Sequence, residues 1–185
     1  MTRPAGAGTA AAHRRSWRMA VFFTSDTHFG DHRTLNIHKR AFGSVAEMDA
    51  QLIARWNEAV GPDDEVWHLG DVARVGGAVE GLLARLHGRK HLIAGNNDPP
   101  ASRAAAGWES VADYAELEVE GRRLILCHYP FRSWHGQAKG AINLHGHSHG
   151  RMKPLPRQID VGVDAWDYRP VRLNILLDAS VRRRR

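Results

Sequence analysis

Short apolar runs recur along the chain and predict buried β-strands. Five of them cover residues 20–25, 65–69, 90–94, 123–127 and 141–145, and two later runs, residues 158–163 and 171–177, predict closing strands. Runs of this length that end in turn residues are typical of buried strands. We therefore expect these segments to form the interior of the fold.

Helical spacing of apolar residues appears between the first two strands. The residues on one helical face are Val45, Met48, Leu52, Trp56 and Val60. Ser44 and Glu47 form a capping box at the start of this helix, and a Gly-Pro pair ends it. A second helix is predicted at residues 79–86, and a short Ala-rich helix after Pro100.

Strands and helices alternate in the first half of the chain, which favours βαβ units and a parallel sheet. In the second half, residues 115–127 predict an antiparallel hairpin that turns at Glu120 and Gly121. The expected fold class is α/β, with no internal repeat and no interdomain linker.

Length and composition suit one domain, because 185 residues with 43% hydrophobic content can build a substantial core. We expect residues 19–181 to form this domain, residues 1–18 a flexible leader and residues 182–185 a basic tail. Cys127 is the only cysteine, so no internal disulfide can form, and a cytoplasmic setting is expected. No apolar run is long enough for a membrane span, and no secretory signal is expected.

The formal net charge of +6 is concentrated at the two ends of the chain. Eight of the 26 basic residues are Arg3, Arg14, Arg15, Arg18 and Arg182 to Arg185. Without them, 18 basic residues face 20 acidic ones, a net charge of about −2. Binding of nucleic acid or a nucleotide is therefore not indicated by charge, although the tails can add weak affinity for polyanions.

Polar clusters with metal-binding side chains follow five of the predicted strands. They are Asp26-Thr27-His28, Gly70-Asp71, Gly95-Asn96-Asn97-Asp98, His128 and Gly146-His147-Ser148-His149. Because ligands gather at the carboxyl ends of strands in α/β sheets, these clusters are expected to converge. Carboxylate, imidazole and amide donors suit manganese, iron, zinc and related divalent ions.

The donors are too many for one ion, and Asp71 can bridge two because a carboxylate has two oxygens. Two ions about 3.5–4 Å apart can hold a shared hydroxide as the nucleophile and clamp the oxygens of a phosphate ester. Each cluster alone has a simpler interpretation. Asp26 and His28 can form a turn, residues 95–98 an Asx turn, and His128 a core histidine. Together and in this order they predict a metal site.

The ordered motifs resemble those of the calcineurin-like metallophosphoesterase superfamily, which are D-x-H, G-D, G-N-H-[D/E], H and G-H-x-H. The match spans residues 20–149, and residues 161–171 are similar to small bacterial and phage members. The resemblance implies a four-layer αββα sandwich of two mixed sheets flanked by helices, with the site at one edge. The implied ligands are Asp26, His28 and His149 for the first ion, Asn96, His128 and His147 for the second, and Asp71 as the bridge.

One position departs from the family pattern. Asn97 stands where the family commonly has a histidine that contacts the phosphate and helps to protonate the leaving group. An amide does not titrate near neutrality, so Asn97 can donate a hydrogen bond but cannot supply this proton. Water or His32 is the expected donor instead, and the alternative for His32 is a solvent-exposed loop imidazole.

The expected function is a binuclear metal-dependent phosphoesterase, in particular a phosphodiesterase, with Asp71, Asn97 and His32 in catalytic roles. Manganese is the first candidate for the two divalent ions, with iron, zinc, nickel or cobalt as alternatives. The alternative functions are a phosphomonoesterase or protein phosphatase with the same ions, and a non-catalytic interaction module on the same fold.

Overall fold

The computed structural model describes residues 19–74, 79–153 and 155–182. The strands are β1 (Val21–Thr24), β2 (Glu65–His68), β3 (Arg89–Ile93), β4 (Trp108–Ala112), β5 (Tyr114–Val119), β6 (Arg122–Cys127), β7 (Ile142–His145), β8 (Gln158–Asp160) and β9 (Val171–Arg172). The α-helices are α1 (His32–Ile37), α2 (Val45–Ala59), α3 (Val79–Leu83), α4 (Pro100–Arg103) and α5 (Leu173–Arg182). The predicted leader and residues 183–185 of the predicted tail lie outside the described residues. Those assignments and the single-domain assignment stay predictions.

The first sheet has five strands in the order β4-β3-β2-β1-β9. Strands β1 to β4 run parallel, as the alternation of strands and helices predicts. The short β9 pairs antiparallel with β1, with Phe22 opposite Arg172. Since β1, β2 and β3 are adjacent and parallel, the loops that follow them lie side by side.

The second sheet has four strands in the order β5-β6-β7-β8. The predicted hairpin is confirmed, because β5 and β6 pair antiparallel and the chain turns at Glu120 and Gly121, with φ values of 51° and 70°. Strands β6, β7 and β8 run parallel. The loops after β6 and β7 therefore also leave the sheet at one edge.

The main core lies between the two sheets. Leu124 and Leu126 of β6 pack there against Phe23 of β1, whereas Ile125 between them faces the opposite side and packs on Trp134. The segment at residues 131–141, which includes the 3-10 helix Gln137–Lys139, covers that far face.

Helix α2 covers the outer face of the first sheet with Met48, Leu52 and Trp56. Half of the predicted capping box is present, since the backbone N–H of Glu47 donates to Oγ of Ser44 at 3.1 Å. The Glu47 carboxylate accepts a hydrogen bond from the backbone N–H of Gly43 at 2.8 Å, one residue before the position that the capping box predicts. The α/β fold of two mixed sheets with flanking helices is confirmed. Among the described residues, no helix has the length and apolar character needed to cross a membrane.

The prediction of a closing strand at residues 171–177 is wrong over most of its length. Only Val171 and Arg172 are in a strand, and α5 begins at Leu173. The apolar residues alternate here, which is typical of a strand, but Leu173 and Leu176 are buried and Ile175 is 50% exposed. Burial three residues apart is the pattern of a helix, and packing against the core decides between the two.

Candidate metal centre

The polar clusters that follow the strands meet at one edge of the two sheets. Asp26 and His28 follow β1, Asp71 follows β2, Asn96 follows β3, His128 follows β6, and His147 and His149 follow β7. The backbone N–H of His147 donates to Oδ2 of Asp26 at 2.9 Å, and Nδ1 of His128 lies 2.7 Å from the carbonyl oxygen of Leu69. These contacts join the two sheets, so the structure brings all of the predicted ligands together.

Asp71 lies at the centre of the group. Its Oδ2 atom is 3.6 Å from Nε2 of His28, and its Oδ1 atom is 3.6 Å from Nε2 of His128. The side chain is buried. A carboxylate that presents one oxygen to each of two imidazoles is well placed to bind two ions at once.

Asp26, His28 and His149 lie on one side of Asp71. Nε2 of His149 is 3.8 Å from Oδ1 of Asp26, and the ring centroids of His28 and His149 are 5.3 Å apart. Nε2 of His28 is buried and has no hydrogen-bond partner among the described residues. Burial of a polar nitrogen without a partner costs free energy, and a bound cation would provide that partner. This side of the site therefore fits a cation.

Asn96, His128 and His147 lie on the other side. Oδ1 of Asn96 is 3.0 Å from Nε2 of His128 and 3.0 Å from Nδ1 of His147. Because the Leu69 carbonyl engages Nδ1 of His128, its Nε2 atom is the one available to an ion. This set of one oxygen donor and two nitrogen donors fits a second divalent ion.

The electrostatics of the site also favour a cation. Burial, followed by the neighbouring carboxylates of Asp160 and Asp71, holds the pKa of Asp26 well above its usual value. Burial, followed by His149 and Arg40, lowers the pKa of His28 to about 3. His28 is therefore neutral and able to bind an ion, and a bound cation would favour the ionised form of Asp26.

Five of the predicted ligands have left-handed backbone conformations. They are Asp26 (φ 57°), His28 (φ 51°), Asp71 (φ 59°), His147 (φ 64°) and His149 (φ 48°). A residue with a Cβ atom pays about 1–2 kcal/mol for such a conformation. Strain of this kind concentrates at functional sites, where it directs side chains that a regular strand would direct elsewhere.

Two glycines of the motifs allow the loops to approach each other. A Cβ atom on Gly146 would lie 2.7 Å from Oδ2 of Asp26, and a Cβ atom on Gly95 would lie 2.5 Å from the backbone nitrogen of Asp71. Both distances are too short for a side chain. The glycines thus permit the close packing that brings ligands of different strands together.

A model described as a calcineurin-like phosphoesterase superfamily domain matches residues 19–154. The chain belongs to this superfamily. The resemblance seen in the motifs is thereby confirmed, and the protein is a metal-dependent hydrolase.

Two phage proteins and one solved structure illustrate the relationship. The chain is 34% identical over 179 residues to the gene 66 protein of Mycobacterium phage D29, which covers 79% of this chain and 88% of the phage protein. It is 35% identical over 183 residues to the gene 66 protein of Mycobacterium phage L5, covering 79% and 87% of the two chains. A protein of unknown function from Aquifex aeolicus shares the fold, with a TM-score of 0.73 at 22% identity over 88% of this chain and 100% of that chain.

A buried arginine, Arg40, binds the loop that carries Asp26 and His28 of the calcineurin-like site. Nη1 of Arg40 donates to the carbonyl oxygen of Thr27 at 2.8 Å, and Nη2 donates to that of Asp26 at 2.6 Å. Nε and Nη2 also donate to the two carboxylate oxygens of Asp164, each at 2.8 Å. Arg40 thus fixes the loop after β1. Its role could not be predicted from the sequence, because nothing in its local sequence distinguishes it from a surface arginine.

The ring of His149 is held at its edge and on its face. Asp164 accepts a hydrogen bond from Nδ1 at 2.7 Å, which leaves Nε2 for the metal side. His38 stacks on the ring with a centroid distance of 3.5 Å and an angle of 11° between the planes. Parallel rings at this separation cannot both direct in-plane lone pairs at one ion. We therefore interpret His38 as a packing partner of His149, although its nitrogen lies near those of His28 and His149.

Asp98 closes the turn after β3. It accepts hydrogen bonds from three backbone N–H groups, those of Asp71, Val72 and Gly95, each at 2.8 Å. The carboxylate thereby ties the turn that carries Asn96 to the turn that carries Asp71. Asp98 belongs to the predicted cluster at residues 95–98, but its role in joining the two turns is visible only in the structure.

Asn97 and His32 differ in their distance from the ligands. The backbone N–H of Asn97 donates to Oδ1 of Asp71 at 2.8 Å, and its Nδ2 donates to Oδ2 at 2.7 Å. His32 is exposed at the start of α1, and within the described part of the chain no hydrogen bond, ion pair or ring contact joins it to a ligand residue. The structure thus brings Asn97 to the ligands but not His32, whose role in leaving-group protonation stays a prediction.

Proposed function

We propose that the chain is a phosphodiesterase that uses two divalent ions. The observation that carries the proposal is the position of Asp71, which presents one oxygen to His28 and the other to His128. The expected ligands are Asp26, His28 and His149 for one ion, and Asn96, His128 and His147 for the other, with Asp71 shared. Bound divalent ions supply Lewis acidity toward phosphate oxygens and lower the pKa of water to near neutrality.

Asn97 supports the choice of a diester. Its two hydrogen bonds hold the Asp71 carboxylate in one orientation. An amide cannot release a proton to a leaving group near neutral pH. In the looser transition state of a monoester, the leaving group carries more negative charge than in a diester of the same alcohol, so a diester depends less on a proton donor. Activated esters and diesters therefore suit this site best.

The identity of the ions and the cellular setting are further parts of the proposal. Manganese is the first candidate, and iron, zinc, nickel and cobalt are alternatives because the same oxygen and nitrogen donors accept them all. Cys127 is a free, buried thiol. This is compatible with a reducing compartment, so we propose a cytoplasmic setting.

Two other functions use the same fold. A phosphomonoesterase or protein phosphatase would bind the same ions but prefer monoesters, and a non-catalytic interaction module would turn over neither substrate. The complete ligand set favours an enzyme over the module, since a scaffold has no need to keep every ligand. A nucleotide or nucleic acid is a candidate substrate for the diesterase.

A metal-by-substrate matrix tests the proposal. The purified chain is loaded with manganese, zinc, nickel or cobalt and assayed with bis(p-nitrophenyl) phosphate and with p-nitrophenyl phosphate. We expect bound metal near two ions per chain and faster turnover of the diester. Asp71→Asn should lose at least about a hundredfold in turnover, because the shared ligand is removed. Asp113→Asn, which changes an exposed carboxylate, is the matched control.

The outcomes of the matrix separate the candidate functions. Wild-type turnover by Asp71→Asn would refute the two-ion mechanism. Preference for the monoester would support the monoesterase, and absence of turnover with every ion would support the interaction module. His32→Ala is assayed in parallel. An unchanged kcat and pH profile in this variant would leave water as the proton donor.

A further inference from the structure

A polar cleft opens beside the metal centre. It has a volume of about 300 Å³ and is lined by His28, Asp31, Arg33, Arg74, Asn97 and Pro99. Because His28 and Asn97 form part of its wall, the cleft is continuous with the site proposed to hold the ions. It is the region into which a neighbouring group of a bound substrate can extend.

One buried carboxylate holds the two arginines of this cleft. Nε of Arg33 donates to Oδ1 of Asp31 at 3.0 Å, and Nη2 donates to Oδ2 at 2.8 Å. Nη1 of Arg74 lies 3.5 Å from Oδ1 of the same carboxylate. The Asp31 side chain is only 5% exposed, so it is fixed in place. The two guanidinium groups share one carboxylate, so the group of Asp31, Arg33 and Arg74 keeps a net positive charge.

The arginines keep donors available for a ligand. A guanidinium has five N–H groups, and Arg33 directs Nε and Nη2 at Asp31, with no described hydrogen bond from Nη1. The side chains of Arg33 and Arg74 are 51% and 42% exposed. Arginine matches phosphate better than other cations do, because its planar fork can donate two parallel hydrogen bonds.

We propose that Arg33 and Arg74 form a subsite for a second phosphate group of the substrate. The inference rests on the proposed phosphoesterase function and names its substrate class, which is diesters that carry a further phosphate next to the one that is cleaved. Asp31 positions both guanidinium groups, and the scissile phosphate lies at the metal ligands. An uncharged diester substituent would gain nothing from this subsite.

A pair of dinucleotides tests the subsite. Thymidylyl-thymidine with a 5′-phosphate and the same compound without it differ only in the second phosphate. We expect the wild-type chain with manganese to show a KM about tenfold lower for the phosphorylated compound, the size of one charge-assisted hydrogen bond. Calorimetric titration of the metal-free full chain should show the same preference in Kd.

Variants assign the preference to the two arginines. Arg33→Gln and Arg74→Gln should each raise the KM of the phosphorylated dinucleotide and leave that of the other compound unchanged. Arg122→Gln, which changes an exposed arginine of the β5–β6 hairpin, is the control and should alter neither. An equal rise in KM for both compounds would overturn the assignment, because the arginines would then act on the scissile phosphate.

Failure of the subsite and failure of the proposed function give different results. Turnover of both dinucleotides by the wild type with equal KM and Kd would overturn the subsite and leave the diesterase intact. Preferential binding of the phosphorylated compound without turnover of either would overturn the diesterase and support the subsite. The wild-type comparison needs no variant, so a variant that fails to fold does not prevent the test.

Discussion

Nδ1 of His149 lies 2.7 Å from Oδ2 of Asp164, and Arg40 holds the same carboxylate through two hydrogen bonds of 2.8 Å. Burial alone would raise the pKa of Asp164, but the hydrogen bonds from His149 and Arg40 outweigh it and lower the pKa below its usual value. Asp164 is therefore ionised and fixes the orientation of a predicted metal ligand. The metal centre consequently depends on two residues that none of its five motifs contains.

The first prediction concerns Arg40, whose side chain is fully buried beside Asp164. Arg40→Met removes the cation and leaves the largely buried Asp164 carboxylate with its His149 contact but without its guanidinium partner. The free energy of unfolding should fall by about 3–5 kcal/mol, which urea denaturation followed by circular dichroism measures.

Arg55→Met is the matched control for Arg40. Arg55 pairs with Asp167, whose side chain is 68% exposed. Loss of this surface pair should cost less than about 1 kcal/mol. Equal losses in the two variants would show that Arg40 has no special role in stability.

The second prediction concerns His38, which stacks on His149. His38→Ala should weaken manganese binding about tenfold, because the His149 ring loses one of its two supports. His38→Phe keeps a ring that can stack but offers no nitrogen, and it should restore most of the affinity. Calorimetric titration of the metal-free chain measures both.

The Phe variant distinguishes packing from coordination. Weak binding in His38→Phe, as weak as in the Ala variant, would identify His38 as a ligand and contradict the stacking role. His135→Ala is the control, since His135 pairs with Glu116 and its side chain is 64% exposed. Its affinity for manganese should equal that of the wild type.

The third prediction concerns Asn97 and the proton for the leaving group. Asn97→His should raise turnover of esters with poor leaving groups about tenfold or more, and that of p-nitrophenyl esters less, because an imidazole can act as a general acid. Comparison of kcat for phenyl and p-nitrophenyl esters of the same type measures this. A similar effect on both leaving groups would argue against a missing acid and point to a change at Asp71.

The fourth prediction is a dependence of stability on pH through Asp31. Burial raises the pKa of Asp31, but hydrogen bonds from Arg33 outweigh it and bring the pKa to about 2, below the usual 3.8. A lowered carboxyl pKa stabilises the fold above the unfolded-state value, and this contribution is lost as the pH falls from about 4 to about 2.

Asp31→Asn isolates this contribution. The difference in free energy of unfolding between wild type and variant should be constant above about pH 5 and shrink below about pH 4, as measured by urea denaturation. Asp113→Asn, at an exposed pair with Arg103, should show little difference at either pH. A difference for Asp31 that persists unchanged at low pH would contradict the assigned pKa.

The ligands could be predicted from the sequence because each motif is local. Asp26, Asp71 and His128 each come one or two residues after an apolar run, so the strand and its ligand are visible within one short segment. Parallel strands then place such residues at a common edge. The ligand residues could therefore be predicted without knowing which strand lies beside which.

The supporting residues could not be predicted, because their partners are far apart in the chain. Arg40 and Asp164 are separated by 124 positions. Asp164 lies in the segment at residues 161–171 that resembles small family members, but this resemblance does not identify Arg40 as its partner. The contact exists only once the connection between α1 and α2, which carries Arg40, has been packed against the loop after β8, which carries Asp164. The prediction of a strand at residues 171–177 is wrong for a similar reason. Burial of Leu176 depends on how the sheets pack and not on the local alternation of apolar residues.

The predicted ligands come from both sheets, so bound ions would have a mechanical role as well as a chemical one. Asp26 and His149, which are expected to bind the same ion, follow strands of different sheets and approach to 3.8 Å between Oδ1 and Nε2. An ion shared between such residues would act as a cross-link across the sandwich and close a loop of most of the chain, much as a disulfide does. Its removal would loosen one rim of the molecule, while the apolar layer between the sheets would keep the two halves together.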